Sequence, residues 1–554
     1  MMSQSGNAKS LYSPVDTADR GSALVSSEDE AGEETLFQVG PGHRSLAGNM
    51  NIHGDARKRN LEDRTTDMPD SDGEENGQTY TLEEAVEALG LGWFQIRMFL
   101  VCGTISAADA LEMLLLAFLS PIVRCEWYLT DAQVAFVTTV VFLGMGIAAP
   151  LLGIFGDKYG RKTTLVFVTL VIGYFGLLAT GSPSYPWLLF LRGVVGCGMG
   201  GSPHSTALMS EYFPKKYRAK MLTGGQTFFA AGVLFEVLLA SVVVPTLGWR
   251  WLMAGSAVPV LIAASGLFFV PESARFLLAA GKREKAIGIL KEAARQNGSH
   301  LPPGKLVKSQ KIPRGQLKNL FGKEYLRTTL QLWVLWMGFA FMYYGIVLAA
   351  TELMRIRAQA GDKAGSGQPC HCKYMTTQDY NTMIISTLGE FACLPVNMVL
   401  LDWVGRRRTG GLICFTLCVL MSLLAVQDQM SRAVFTLVLF AARGLSSSFG
   451  NLLYIYTAEL YPTTIRTLGM GTASAWARVG AMVTPFVAQV FLSWSPVLAC
   501  LVYASFALVC SVCSFWMPIE TMERALPQSV SMEMTELPPD QKALIAGAIE
   551  SESE

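Results

Sequence analysis

Two copies of one polar loop, each set between long apolar runs, constrain this chain more than anything else in it. The first reads Gly153-Ile-Phe-Gly-Asp157-Lys-Tyr-Gly160-Arg161-Lys162, the second Leu401-Asp402-Trp-Val-Gly405-Arg406-Arg407-Arg408. Another pair follows: Glu211-x2-Pro214-x3-Arg218 returns as Glu459-x2-Pro462-x3-Arg466, again about 245 residues on. Many membrane carriers are built by duplicating a hydrophobic unit in this way, with the binding site between the halves.

A bilayer core takes roughly 20 apolar residues per helix. Twelve such runs are present, over 96–122, 132–154, 164–182, 186–208, 222–245, 249–270, 327–352, 382–402, 410–426, 433–457, 467–492 and 496–517, the ninth being the shortest. Lipid satisfies no free backbone amide, and the runs are too long for barrel strands. The expected fold is therefore an all-α membrane protein of twelve transmembrane helices in two six-helix pseudo-repeats. The expected domains are a disordered acidic tail (1–80), an amphipathic helix (81–95), a six-helix bundle (96–270), a linker with short helices (271–326), a second bundle (327–517) and a tail (518–554).

Residues 1–80 hold 15 Asp/Glu against 7 Lys/Arg and few aromatics, too little apolar area to offset the entropy of ordering. That stretch also lacks the apolar core of a signal peptide. Thr81 and Glu84 have capping-box spacing before the stripe Leu82, Val86, Leu89. Loops after even-numbered spans carry Lys158, Arg161 and Lys162, then Lys215, Lys216, Arg218 and Lys220, then Arg406, Arg407 and Arg408. Basic loops stay in the cytosol, which places both termini there, and the expected location is an intracellular vesicle or the plasma membrane. The sequon at Asn297 then lies in the cytosolic linker and should stay unused. Net charge is zero, so no nucleic-acid partner is expected. Most of the 11 cysteines sit in apolar runs as packing residues. Cys125, Cys370 and Cys372 fall in loops on the outer side. Cys370-His-Cys372 offers too few ligands for a metal, and a disulfide from Cys125 to that loop is expected. No metal or other cofactor is expected.

Together these motifs resemble the major facilitator superfamily. Asp157-x2-Gly160-Arg161-Lys162 is similar to its signature between helices two and three. Glu211/Pro214/Arg218, Pro271-Glu272-Ser273-Ala-Arg275 and Pro518-Ile-Glu520-Thr521 resemble the sugar-porter branch. Cys125-Glu-Trp127, Gly248-Trp-Arg-Trp251, Tyr343-Tyr344-Gly345 and Tyr456-Thr-Ala-Glu459-Leu-Tyr461-Pro462 resemble the synaptic vesicle 2-related family, and Pro369-Cys-His-Cys372 its "like" branch. The resemblance covers about 80–525. It implies that Asp157 reaches the start of the eleventh helix, where the helix dipole favours a carboxylate, and latches the halves in an outward-facing state. Gly153, Gly160, Arg161, Lys162, Glu211, Arg218, Asp402, Arg406, Glu459 and Arg466 belong to the same latch. Gly153 and Gly160 are expected to permit its tight turn.

Ionisable residues inside apolar runs each cost roughly 2.5–3.5 kcal/mol on insertion scales, so each needs a partner or an aqueous cavity. They are Asp109, Glu112, Arg192, Glu236, Glu390, Arg443 and Arg478. Asp109 and Glu112 share a helix face. Two readings stand: proton or cation coupling, or a structural network of Asp109 and Glu112 with Arg192. The seventh run is aromatic, with Trp333, Trp336, Phe339, Phe341, Tyr343 and Tyr344. The amide positions with which sugar porters bind hydroxyls fall on Trp333, Val334 and Phe339, so a sugar is disfavoured. Aromatic faces beside carboxylates suit an organic cation. Gly196-Cys-Gly198-Met-Gly-Gly201 matches a dinucleotide fingerprint but lies within a helix and reads as close packing. His204, on the same run, reads as a packing residue.

The expected function is a secondary active or facilitative carrier of a small organic solute, an organic ion rather than a sugar, with protons as the candidate coupling ion. Gly-x4-Gly-Lys-Ser/Thr is absent. The alternative is a non-transporting vesicle membrane protein with a binding or regulatory role. An enzyme is not expected, since no catalytic constellation stands out. Asp540, Leu544 and Ile545 fit an acidic dileucine signal for an endocytic adaptor. A monomer is expected.

Overall fold

The structure is a computed structural model that describes residues 79–307, 317–322, 325–362, 375–462 and 464–522. It is almost wholly helical. The helices are α1 (Leu82–Leu89), α2 (Trp93–Glu126), α3 (Asp131–Tyr159), α4 (Arg161–Thr180), α5 (Tyr185–Met199), α6 (Pro203–Tyr212), α7 (Lys215–Leu247), α8 (Trp249–Gly266), α9 (Ala274–Ala279), α10 (Arg283–Asn297) and α11 (Leu317–Leu320). They continue with α12 (Leu326–Asp362), α13 (Thr377–Val404), α14 (Arg406–Leu424), α15 (Arg432–Leu460), α16 (Arg466–Pro485), α17 (Leu492–Trp494) and α18 (Pro496–Phe515). A π-helical turn, Phe486–Phe491, joins α16 to α17. The two-residue strands β1 (Thr79–Tyr80) and β2 (Lys305–Leu306) pair in parallel.

Among the described residues eleven helices are long and apolar enough to cross a membrane. The fourth expected span is the one that departs: it breaks into α5 and α6 at Gly200–Ser202. Pro203 has no N–H and its ring crowds the carbonyl four residues back, which ends a helix. The glycines let α5 lie hard against α3. A Cβ on Gly196 would sit 2.2 Å from the Val141 carbonyl oxygen, and one on Gly200 2.9 Å from that of Met145.

The same three pairings recur in both halves. In the first, α2 packs on α7, α3 on α5 and α4 on α8; in the second, α12 packs on α16, α13 on α15 and α14 on α18. The seam between halves is α3 against α16 and α7 against α13, with α2 facing α12. Outward faces stay apolar: Phe268 is 79%, Trp403 83% and Trp494 78% exposed. An apolar belt of this extent needs lipid against it.

The expected helix over 81–95 is in fact two pieces. α1 carries the Thr81/Glu84 capping box and ends at Gly90, whose φ is 62°, and Trp93 already starts α2. Asn297 joins the linker to that corner. Its carboxamide accepts from the Phe94 N–H at 3.0 Å and donates to the Leu89 carbonyl at 3.0 Å and Gln95 Oε1 at 2.7 Å.

Candidate functional site

The buried ionisable residues resolve into separate clusters along the seam. Arg192 Nη1 meets Glu112 Oε2 at 2.5 Å, with side chains 1% and 2% exposed. Arg192 Nη2 turns to Met253 Sδ at 2.9 Å. Glu236, fully buried, accepts from the Ser256 hydroxyl at 2.8 Å and lies within electrostatic reach of both Glu112 and Arg192. Asp109 is not part of the Arg192 pair. It accepts from Ser202 Oγ at 2.9 Å, at the break in the fourth span. Arg478 of the second half lies within electrostatic reach of it, and of Tyr344 and Tyr454. Arg478 holds the carbonyl and hydroxyl of Ser474 at 3.0 and 2.7 Å, and its Cδ would lie 3.8 Å from a Cβ on Gly146 of α3. Asp109 and Glu112 thus share a helix, yet only Glu112 is neutralised by direct contact.

In the second half Arg443 Nε donates to Glu390 Oε1 at 2.8 Å, with side chains 2% and 1% exposed. The Tyr343 hydroxyl donates to the same carboxylate at 3.3 Å. Nη1 and Nη2 of Arg443 are buried without a hydrogen-bond partner. That guanidinium lines a cavity of about 10 Å³ between the halves, together with Met113 and Phe229 of the first half and Tyr343, Tyr344 and Val347 of the second. No Asn or Gln lines it. Tyr344 crosses the seam to Phe142, with ring centroids 4.8 Å apart. Trp333 and Trp336 belong to packing instead. Trp336 donates to Thr457 Oγ1 at 3.0 Å, and Trp333 to Thr472 Oγ1 at 3.3 Å while stacking on Trp476.

The duplicated loops form one basic face of the bundle, and each is a helix start capped by a distant glutamate. Glu272 accepts from the N–H groups of Lys162 and Thr163 at 3.0 and 3.3 Å, closing the start of α4. Glu520 accepts from those of Arg406 and Arg407 at 2.9 and 3.1 Å, closing α14. The preceding glycines, Gly160 and Gly405, have φ of 106° and 92°, and a Cβ on Gly160 would lie 2.3 Å from a Glu272 oxygen. Gly153 makes no such turn. It lies inside α3 with open space where a Cβ would be, and Gly156 is the tight position, against His204. His204 itself packs there, its Nδ1 3.0 Å from the Gly201 carbonyl.

The cations of the two loops diverge. Arg406 grips Glu459 with two bonds of 3.0 Å, and Thr521 donates to the same carboxylate at 2.6 Å. In the first half Ser273 donates to Glu211, and Arg161 pairs instead with Asp157 at 2.7 Å. Arg218 and Arg466 each fold back on the carbonyl five residues earlier, Phe213 and Tyr461, at 3.2 Å. Asp402 is exposed, with no ion-pair partner among the described residues. The expected bond from Asp157 to the start of the eleventh span is not found among the described residues. Asp157 is half exposed and pairs with Arg161, and α16 starts at Arg466 without a side-chain cap.

The halves are tied at the opposite face, by residues that motif reading passed over. Glu352 of α12, 3% exposed, accepts from Arg124 of α2 at 2.8 Å and from Arg355 Nε at 3.0 Å. Arg124 also meets Asp131 at 3.2 Å, and Asp131 accepts from Ser493 at 2.7 Å. Thr139 donates to the Met482 carbonyl at 3.3 Å, and Phe118 stacks on Tyr380. Contacts between the halves are thus found at this face, while Asp157 of the duplicated loop pairs within its own loop. The signal available in the sequence was a Glu in the last turns of the seventh run and an Arg ending the first. Cys125, next to Arg124, is disulfide-bonded. Cys370 and Cys372 lie outside the described residues, as do Asp540, Leu544 and Ile545; the other described cysteines are free.

A family model described as "Sugar (and other) transporter" matches residues 102–531. Human SVOPL is 42% identical over 463 residues, 81% of this chain and 94% of its own length. The synaptic vesicle 2-related protein of Xenopus laevis is 41% identical over 524 residues, 93% of this chain and 92% of that one. Among solved structures, the partially occluded inward-open conformation of the xylose transporter XylE from E. coli matches with a TM-score of 0.61 at 15% identity, over 78% of this chain and all of that one. At that identity the likeness speaks for the fold alone. Two matched halves, the duplicated helix caps and these similarities agree that the chain is an integral membrane protein of the sugar (and other) transporter family in the major facilitator superfamily.

Proposed function

We propose that the protein is a secondary carrier that moves a small organic anion by alternating access, with its basic face toward the cytosol. The observation that carries this reading is Arg443: a buried guanidinium, held by Glu390 through Nε, whose two N–H2 groups have no hydrogen-bond partner, on a residue that lines the space between the halves. A buried donor set of this kind costs free energy unless a ligand completes it, and Arg suits a carboxylate or phosphate. Tyr343, Tyr344 and Phe229 offer aromatic faces for the anion's apolar body. A sugar would find no amide there. The expectation of an organic cation rested on aromatic faces beside carboxylates. Glu390 and Glu112 each have an arginine in contact, so neither carboxylate is free to hold a cation, which favours the anion.

Asp109 supplies the coupling step. It is a carboxylate on a seam helix with a single hydroxyl partner and with Arg478 approaching from the other half. Protonation neutralises it when the halves separate, and Arg478 favours the ion when they close. The test is uptake into proteoliposomes of organic anions, organic cations and hexoses, with and without a pH gradient. Anion uptake that responds to the gradient, is lost in Arg443→Gln and loses its gradient response in Asp109→Asn is the expected result. Cation or hexose uptake that survives Arg443→Gln overturns the reading, as does a full set of fluxes indistinguishable from empty liposomes.

A further inference from the structure

A second cavity lies away from the seam. About 570 Å³ opens at the basic face between the start of α2, the start of α4, the end of α8 and one side of α10. Three cations line it: Arg97, Lys162 and Lys285. None of their side chains has a hydrogen-bond acceptor among the described residues, and Arg97 Nε is buried and unpartnered. Two carboxylates also line the cavity, each with hydrogen-bond donors of its own, and Glu292 also attracts Arg97 by charge. Glu272 caps α4 and accepts from the Ser273 N–H at 2.9 Å. Glu292 is held by Arg295 at 2.7 Å and Gln296 at 2.8 Å. Three cations against two carboxylates leave the lining net positive, and the cationic side chains make no hydrogen bond among the described residues.

The rim has the opposite character. Phe268 and Phe269 end the sixth span, line the cavity and are 79% and 69% exposed. Aromatic side chains at the end of a span mark the level of the lipid headgroups. The walls are held in place beforehand, because the Asn297 carboxamide ties the end of α10 to the first turn of α2.

We propose that this groove binds the phosphate of an anionic phospholipid. The phosphate sits among Arg97, Lys162 and Lys285, and the acyl chains run along α8 past Phe268 and Phe269. The exposed aromatics at the mouth select a lipid over free phosphate, since only a lipid covers them. Basic groups between helices at the membrane surface hold anionic headgroups by this combination of charge and apolar contact. The site is independent of the central seam and of what the carrier transports.

The experiment uses the full chain, purified in mild detergent and examined by native mass spectrometry and thermal unfolding. The probes are phosphatidylglycerol, phosphatidylcholine and inorganic phosphate. Phosphatidylglycerol should remain bound and raise the melting temperature, while the other two should not. The double variant Arg97→Gln/Lys285→Gln should weaken phosphatidylglycerol binding by about tenfold or more. The charge-conserving Arg97→Lys/Lys285→Arg should retain it, which separates a lost site from a lost fold. Equal retention of phosphatidylglycerol by the Gln variant overturns the proposal. So does equal binding of phosphatidylcholine, or stabilisation by inorganic phosphate alone that equals the effect of the lipid.

Discussion

Replacing Glu352 by Gln should open the face at which the two halves are tied. The carboxylate is 3% exposed and bridges the halves, taking Arg124 from the first and Arg355 from its own helix. The amide keeps the shape but removes the charge, leaving two arginines 11% and 24% exposed on a neutral acceptor. Breaking a fully buried ion pair costs about 3–5 kcal/mol. Asp131 remains as a partner for Arg124 at 3.2 Å, and both arginines touch water, so roughly 2–3 kcal/mol is expected. The loss falls only on the state in which α2 and α12 meet at this face, because separation wets all three groups. A bias of that size moves the balance between states about 30- to 150-fold. Hydrogen–deuterium exchange over 115–130 and 346–357 reads it directly: protection should fall by that factor at this face while the core of α15 keeps its own. If the variant folds with an unaltered melting temperature and exchange at this face stays as in the parent, Glu352 does not hold the halves together and the reasoning fails.

Three further outcomes follow from the caps and the linker. Glu272→Gln weakens the charge-assisted cap on α4 and should lower stability by about 1–2 kcal/mol in thermal unfolding, with Glu520→Gln doing the same for α14. Gly160→Ala should be worse than either, since it combines a φ of 106° with a Cβ pressed into the Glu272 carboxylate, and Gly153→Ala should be nearly silent in the same assay. At Glu83 burial pushes the carboxyl up, but the Lys215 hydrogen bond and the charges of Lys215, Arg218 and Arg275 outweigh it and hold it below the usual value of 4.5. A depressed carboxylate stabilises the fold above its unfolded pKa and ceases to do so as pH falls through the folded one. Exchange protection of α1 should therefore be flat above about pH 5 and fall below 4.5, and Glu83→Gln should remove that dependence.

Much of the fold was legible because lipid permits so few solutions. An apolar run of span length must be a helix, and two like sets of runs with like loops must form like halves. The break in the fourth span was written in Gly200, Gly201 and Pro203, but a hydropathy window reads composition and passes over a break inside an apolar run. The central charges were legible for the same reason, being costly in lipid. Their partners were not. Asp109 and Glu112 sit three residues apart, yet one meets Arg192 and the other Ser202, because the turn at Gly200–Ser202 brings that hydroxyl under the seam.

The amino-acid sequence by itself determined the helices, their number of spans to within one break, the duplicated halves and the residues too polar to face lipid, since each follows from local composition against a bilayer. Only the tertiary structure decided which charges meet: Glu352 with Arg124 rather than Asp157 with the eleventh span, Glu272 and Glu520 on the helix starts, and Arg443 with two donors left over. Pairing depends on which helix faces which, and on which face of the bundle is closed. Neither is a property of any stretch of chain short enough to be read alone.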